Sequence, residues 1–557
     1  MSLTCWNTPE LLAAYDRMAG LTVWQSLEET AARLPEKVAL VDGDRRFTYA
    51  ELVAAGLHLS QGLAALGLAK GDIAAVYLPN SAEQVTLFYA LQHLGVAVAW
   101  LNPSYRQTEA EFILANSGAK AILLFEQWQG HDYLSSILGI PGLPHLELIL
   151  VARHGDDFTT ADPRVRTLDD VLAAAGSTHA RPAAADATPV GPDDLSMLIY
   201  TSGTTGRSKG AAITQSQVVR AGYSYSLGVS ATEDDIFVAF LPMSHSYGCG
   251  ALLLQPLILG ATVVLLDVFS AERAFQLIER ERVTIQLGSP THYVMELKSP
   301  VRSQYDLSSL RAGLIAGMLA PAGLITQVER EMGVHIASFL GSSEVGPGLS
   351  IILPFPQPLE VRERSIGYAL TGTEAKVVDP ETGQEKAPGE PGELVLSGWH
   401  VTQGYWKNPE ETARQIRDGW LYTGDLVSRD EDGCFQILGR LKEWINRGGF
   451  KIVPSELEGL LVQRPEITEV CVVATPNPVL GESICVCILV NEDADPPTLA
   501  ELRSFLEGRV APYKLPDELL VLEEFPRLSG GIKVNKLGPG GVAEQAKTSP
   551  DKETHRR

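Results

Sequence analysis

Between Thr201 and Gly210 the chain reads Thr-Ser-Gly-Thr-Thr-Gly-Arg-Ser-Lys-Gly, so five aliphatic hydroxyls, three glycines, an arginine and a lysine fall in one short stretch. Glycines let successive backbone N–H groups turn toward a single point, hydroxyls donate from the side, and Lys209 adds a mobile ammonium. That combination suits a polyphosphate. It is not the common P-loop, Gly-x4-Gly-Lys-Ser/Thr. Lys209 lies three residues past Gly206 and is followed by Gly210, which leaves no hydroxyl in the usual Mg²⁺-binding slot. The apolar run Leu195-Ser-Met-Leu-Ile199 just before it reads as the buried strand that delivers the loop.

Five further stretches carry groups able to do chemistry. They are Leu241-Pro-Met-Ser-His245-Ser-Tyr-Gly248, Leu340-Gly-Ser-Ser-Glu344, Gly419-Trp-Leu-Tyr-Thr-Gly-Asp425, Gly439-Arg-Leu-Lys-Glu-Trp-Ile-Asn-Arg-Gly-Gly449 with Pro454-Ser-Glu-Leu-Glu458, and Gly531-Ile-Lys533-Val-Asn-Lys536. In this order, and with the loop at 201–210, the set resembles the adenylate-forming superfamily of acyl-CoA synthetases, peptide-synthetase adenylation domains and luciferases. The resemblance spans residues from about 20 to about 540, and six motifs in sequence make it specific.

The resemblance implies a two-step reaction in which a carboxylate attacks the α-phosphate of ATP, pyrophosphate leaves, and a thiol then displaces AMP from the acyl-adenylate. The chemistry is coherent. A carboxylate would have to expel oxide to acylate anything, and the mixed anhydride with AMP removes that obstacle. Two anions must meet, so the site needs charge neutralisation more than a general base.

By resemblance the nucleotide loop is Thr201, Ser202, Gly203, Thr204, Thr205, Gly206 and Lys209, with Ser202, Thr204, Thr205 and Lys209 on the β- and γ-phosphates. Glu344 is the expected Mg²⁺ partner, and Gly341, Ser342 and Ser343 line the nucleotide, Ser343 standing where the family usually has threonine. Asp425 suits the ribose hydroxyls, and Arg440 the ribose or a nearby phosphate. Lys533 is the lysine expected to close over the α-phosphate and the attacking carboxylate, with Lys536 as its rival, because Ile532 interrupts the usual Gly-Lys pair. His245 resembles the aromatic gate of an acid pocket that also takes in Tyr247, Gly248, Gly317, Met318, Leu340 and Gly341. Lys442 falls at the family's hinge, and Gly448, Gly449 and Lys451 on the face expected to meet the pantetheine arm or a phosphate of coenzyme A.

Two departures bear on specificity. Leu340 replaces the tyrosine that stacks on adenine in relatives, so the ring face is lost there. Phe240 and Leu241 stand where an aspartate would pair an α-amino group, which favours an aryl, alicyclic or fatty acid over an amino acid. The expected activity is that of an ATP-dependent carboxylic acid–CoA ligase, an acyl- or aryl-CoA synthetase; the first alternative is a stand-alone acyl-AMP ligase that loads a carrier-protein phosphopantetheine in trans. An oxidative, luciferase-like use of the adenylate and a nucleotide- or acid-sensing pseudo-enzyme are more distant alternatives.

Positioning these groups requires layered elements. A helix from Val23, a strand pair around Asp42-Gly43-Asp44, a helix capped by Thr48, a strand at 73–77 and a helix from Ser81 alternate in the manner of α/β sheets. The window Ala251–Leu266 holds Gln255, Pro256 and Gly260 and is too short to span a bilayer, so it reads as a buried helix followed by a core strand at 262–266. Short strands between 350 and 400 predict a small barrel-like β unit. The fold expected is therefore α/β and multi-domain: an N-terminal ATP- and acid-binding part at 1–438, a hinge at 439–443, a small mobile α+β domain at 444–541, and a disordered tail at 542–557.

The bulk numbers agree. A chain of 557 residues with 45% hydrophobic and 20% charged content is a multi-domain globular protein. Its net charge of −23 argues against a nucleic-acid partner. Six scattered cysteines, at 5, 249, 434, 471, 485 and 487, form neither a zinc motif nor a disulfide framework, and a reducing cytoplasm is expected. Cys485 and Cys487 alternate, so they should pack on one face of a strand. Monomer and homodimer remain equally open.

Overall fold

The computed structural model describes residues 8–175, 189–201, 208–317, 320–321, 323–447, 450–491, 494–527, 534–538 and 540–554. Two large sheets dominate the N-terminal part. The first runs, in spatial order, Tyr368–Ala369, Ile351–Ile352, His335–Leu340, Ala312–Ile315, Ile285–Gly288, Ile236–Ala239, Thr262–Leu265, Val38–Asp42 and Arg45–Thr48. Its pairs from Val38–Asp42 across to His335–Leu340 are parallel. The second runs Lys209–Thr214, Leu195–Thr201, Ala97–Trp100, Ile73–Tyr77, Ala121–Phe125, Leu148–Arg153 and Val165–Thr167, all parallel except the edge hairpin 195–214.

Helices Ala82–Leu94 and Gln215–Val229 lie between these sheets and contact strands of both. Burial on nearly every side explains why neither shows a clean polar face. Their starts are written locally. Ser81 caps the first, and Thr214 caps the second in a reciprocal box with Gln217, each cap contributing about 1 kcal/mol. Thr48 does the same with Glu51 for Tyr49–Ala65, as the sequence predicts. The window 251–266 is a buried π-turn at Cys249–Leu254, a helix at Gln255–Leu259 and a core strand at Thr262–Leu265. Among the described residues no helix is long and apolar enough to cross a membrane.

The β unit is a five-stranded antiparallel sheet of Thr373–Val378, Gly392–Gly398, Ile416–Arg417, Trp420–Arg429 and Phe435–Arg440. Its last strand carries the N-terminal part through to Arg440. The turn Leu441–Glu443 then leads into a C-terminal sheet of Ile445–Arg447, Phe450–Ile452, Ile467–Asn477, Gly481–Val490, Glu518–Val521 and Glu553–Thr554.

Strand Gly481–Val490 is buried on both faces. Ile484, Val486 and Ile488 face helices Pro454–Leu461 and Leu499–Leu506, while Cys485 and Cys487 face the other way, their sulfurs 3.9 Å apart. That second face corrects the expectation of a disordered tail. Residues Val542–Thr548 form a helix whose Val542, Ala543 and Ala546 are buried against Cys471, Cys485 and Cys487, and Glu553–Thr554 adds a strand beside Glu518–Val521. Charged residues around it hid a three-residue apolar stripe, which is enough to seal a sheet face that would otherwise be wet.

Candidate active site

The edge hairpin pairs Thr201 with Lys209, so the two ends of the expected phosphate loop sit side by side at one strand terminus. Ser202, Gly203, Thr204, Thr205 and Gly206 lie outside the described residues, as do Met318, Gly448, Gly449 and Lys533. Thr201 and Lys451 are described as strand residues only.

Lys209 forms an ion pair with Glu411, and its Nζ lies 5.3 Å above the ring of Tyr405. The Tyr405 hydroxyl donates to Glu344 Oε1 at 2.9 Å. One tyrosine therefore touches both the expected phosphate lysine and the expected metal carboxylate. Burial, and then the neighbouring Glu344 charge, push the Tyr405 phenol well above its ordinary range, so it stays a donor.

Backbone pairing explains the meeting. Segment 402–406 runs along the free edge of Lys209–Thr214: Ala212 N donates to Gly404 O at 3.0 Å, Trp406 N to Gly210 O at 2.7 Å, and Thr402 Oγ1 to Ala212 O at 2.7 Å. Thr402 N also donates to Glu344 O at 2.7 Å, and Val345 bridges Val401, which draws the 341–345 turn in from the other sheet. Gln217, besides capping its helix, donates to Trp399 O at 2.9 Å and Val401 O at 2.6 Å. Gly404 has φ +139°, and a Cβ there would meet Thr412 at 2.7 Å, so only glycine can lead the chain into Tyr405.

The acid-pocket candidates gather at the carboxyl ends of the parallel strands, where open α/β sheets bind ligands. His245 caps a short turn, its Nδ1 accepting from Tyr247 N at 3.3 Å, and its ring is exposed. Tyr247 is buried, donates to Leu314 O at 3.1 Å, and packs edge-on against Phe339 at 4.8 Å. Ser343 donates to Ser246 Oγ at 3.3 Å, joining the Glu344 turn to the His245 turn. A Cβ on Gly341 would fall 1.9 Å from Gly348 O, a contact that only glycine permits. Gly317 faces open space, Gly248 is buried, Ser342 is half-buried, and half-buried Leu340 packs toward the β unit.

Asp425 is 3% exposed and sits directly across the strand pair from Arg440, whose Nε is 2.7 Å from its Oδ1. Lys442 follows in the connecting turn, where burial, then the Arg414 and Lys209 charges, lower its pKa against the opposing pull of Glu411. Lys536, the rival to Lys533, lies between Glu458 at 2.8 Å and Glu443 at 3.2 Å. Burial works against its charge, but the two carboxylates outweigh it and raise the pKa.

Thus Lys209 and Glu344 come together around Tyr405, Lys442 lies within electrostatic reach of Lys209, and Asp425 pairs with Arg440. Sequence reasoning missed Tyr405, Glu411 and Arg414. The signal present was Gly404-Tyr-Trp before the helix start Asn408-Pro409, a glycine-led aromatic pair with no periodic role.

Residues 27–406 match the family model described as AMP-binding enzyme, and residues 456–531 match the AMP-binding enzyme C-terminal domain. The chain belongs to the AMP-binding enzyme family, within the adenylate-forming superfamily. It is 32% identical over 539 residues to human mitochondrial medium-chain acyl-CoA ligase ACSF2, covering 93% of this chain and 87% of that one. It is 32% identical over 554 residues to the medium-chain fatty-acid–CoA ligase of Escherichia coli K12, covering 96% and 94%. Among solved structures, the anthranilate CoA ligase AuaEII in complex with anthranoyl-AMP aligns with a TM-score of 0.84 at 26% identity, covering 95% of this chain and 98% of that one. ATP-bound MatB from Rhodopseudomonas palustris aligns at 0.81 with 26% identity, covering 95% and 99%. The large α/β part followed by a small C-terminal domain is the shared fold of this family.

Proposed function

We propose that this member of the AMP-binding enzyme family is an ATP-dependent carboxylic acid–CoA ligase that works through an acyl-adenylate, releasing pyrophosphate and then AMP. The observation that carries the reading is the meeting of Lys209 and Glu344 on Tyr405, an ammonium and a carboxylate held at one strand end by backbone pairing. Medium-chain acyl-CoA ligases among the relatives, and the anthranoyl-AMP complex among the neighbours, support the acid–CoA chemistry.

Lys209 neutralises the outer phosphates and makes pyrophosphate a better leaving group. Mg²⁺ suits the donor set, because it asks for one or two carboxylates and takes its remaining ligands from phosphate oxygens and water. Glu344 would hold it, and the ion would supply neutralisation of the phosphate charge. The Tyr405 hydroxyl fixes the Glu344 rotamer by donating to one oxygen. Arg440 fixes Asp425 in the same way for the ribose hydroxyls. Lys533 is the group proposed to close over the α-phosphate, since Lys536 is already engaged by two carboxylates. The turn at Lys442 is the proposed hinge that swaps this lysine for the thiol-facing surface. Buried Tyr247 and Phe339 make the acid end apolar, which favours aryl, alicyclic or fatty acids.

A pyrophosphate-release screen over such acids, with free coenzyme A or a pantetheinylated carrier protein as acceptor, tests the reading. Acid-dependent pyrophosphate, acyl-AMP by mass spectrometry and acyl-CoA are expected. Pyrophosphate without acyl-CoA, but with carrier loading, would move the acceptor to the carrier. Silence across the panel would sink the enzyme reading.

A further inference from the structure

Glu411 has no role in the reaction as described, yet it occupies the position from which it meets Lys209. Both side chains are 11% exposed, so the pair is largely shielded from water. Glu411 also accepts from Arg414 Nη2 at 2.6 Å, which leaves one carboxylate shared by two cations. It stands at the start of helix Pro409–Gln415, whose cap Asn408 receives Glu411 N at 3.1 Å, so its backbone is fixed independently of Lys209. The Tyr405 ring supports the ammonium from beneath.

We propose that Glu411 is an internal anion that competes with the nucleotide's outer phosphates, and with departing pyrophosphate, for Lys209. This rests on reading Lys209 as a phosphate ligand. Without an anion beside it, a shielded ammonium would stand uncompensated, and Glu411 supplies that anion. When phosphate takes Lys209, Glu411 keeps Arg414 and does not become a lone buried charge. When pyrophosphate leaves, Glu411 regains Lys209. The exchange lowers the affinity of the site for pyrophosphate and so favours release of a product that would otherwise be held by its own charge. A carboxylate beside the phosphates also repels them. Its removal therefore acts in one direction through both effects.

The test is steady-state kinetics of Glu411→Gln, which keeps the shape and removes the charge. KM for ATP is expected to fall about threefold to tenfold, with inhibition by inorganic pyrophosphate tightening at least as much, while KM for acid and for coenzyme A stay within about twofold. A merely structural contact would raise KM for ATP when lost. An unchanged or raised KM for ATP, or loosened pyrophosphate inhibition, overturns the proposal. Arg414→Gln supplies an independent sign: Glu411 then has Lys209 alone, so KM for ATP should rise, and a fall would count equally against the idea. Lys209→Ala separates the two layers. If that change leaves KM for ATP untouched, the phosphate reading of Lys209 fails; if it raises KM while Glu411→Gln does not lower it, only the role given to Glu411 falls.

Discussion

Lys209 and Lys536 are both held by carboxylates, and the balance around each is opposite. Lys209 shares Glu411 with Arg414, two cations to one acid. Lys536 lies between Glu443 and Glu458, two acids to one cation. The first cluster still has positive charge to offer an anion. The second has none, and it ties the turn at 441–443 and helix Pro454–Leu461 to the segment just after Lys533. The same side chain is thus proposed as a ligand in one place and serves as a fastener in the other. A fourth acid, Glu296, has no cation beside it among the described residues: fully buried, it accepts from Gln286 Nε2 at 2.6 Å, and burial lifts its pKa to about 8.

The contrast can be broken most decisively at the neighbouring lysine. Lys533→Ala should slow adenylate formation on the order of 10²–10³-fold, as loss of one transition-state donor does, and spare thioester formation from preformed acyl-AMP. Single-turnover assays of the two half-reactions check this, and an equal loss in both would remove Lys533 from the role proposed. Lys442→Pro tests the hinge. It should leave adenylation intact and slow thioester formation by roughly 10²-fold, because proline restricts the backbone change and misplaces the second surface.

Glu296 separates burial from pairing. With its folded pKa raised from 4.5 to about 8, the neutral acid is what the fold prefers. Its stabilising contribution is complete below about pH 4.5 and is lost as pH rises through about 8. Denaturant unfolding of Glu296→Gln should therefore lack a decline of up to about 4 kcal/mol that the parent shows between pH 5 and 9. Parallel pH profiles would contradict that environment. Lys536→Met is the smallest change expected, about 1–3 kcal/mol of stability after discounting for partial exposure, with both half-reactions retained. Loss of adenylation without loss of stability would instead make Lys536 the closing lysine.

The candidate site could be proposed from sequence because its motifs are local. A glycine- and hydroxyl-rich loop after an apolar strand announces itself within a dozen residues, and so do the reciprocal caps at Thr48 and Thr214. The Asp425–Arg440 pair was legible as two separate residues but not as a pair, since only the strand register sets them opposite one another. Tyr405 was legible only as half of a glycine-led aromatic pair, with nothing in the local sequence to join it to Lys209 or Glu344. It lies 61 residues from Glu344 in the chain, and it meets Lys209 only because segment 402–406 pairs along the edge of strand Lys209–Thr214.

The amino-acid sequence by itself determined the order of the motifs, the alternation of strands and helices, the helix caps and the charge of each candidate group. These depend on backbone preferences and on side chains within a few residues of one another. Tertiary structure alone decided which charges meet: that Glu411 reaches Lys209, that two acids enclose Lys536, and that an apolar stripe at 542–546 seals the second face of the C-terminal sheet. Such meetings depend on how sheet edges pair and which faces are left uncovered, and no short stretch of chain carries that information.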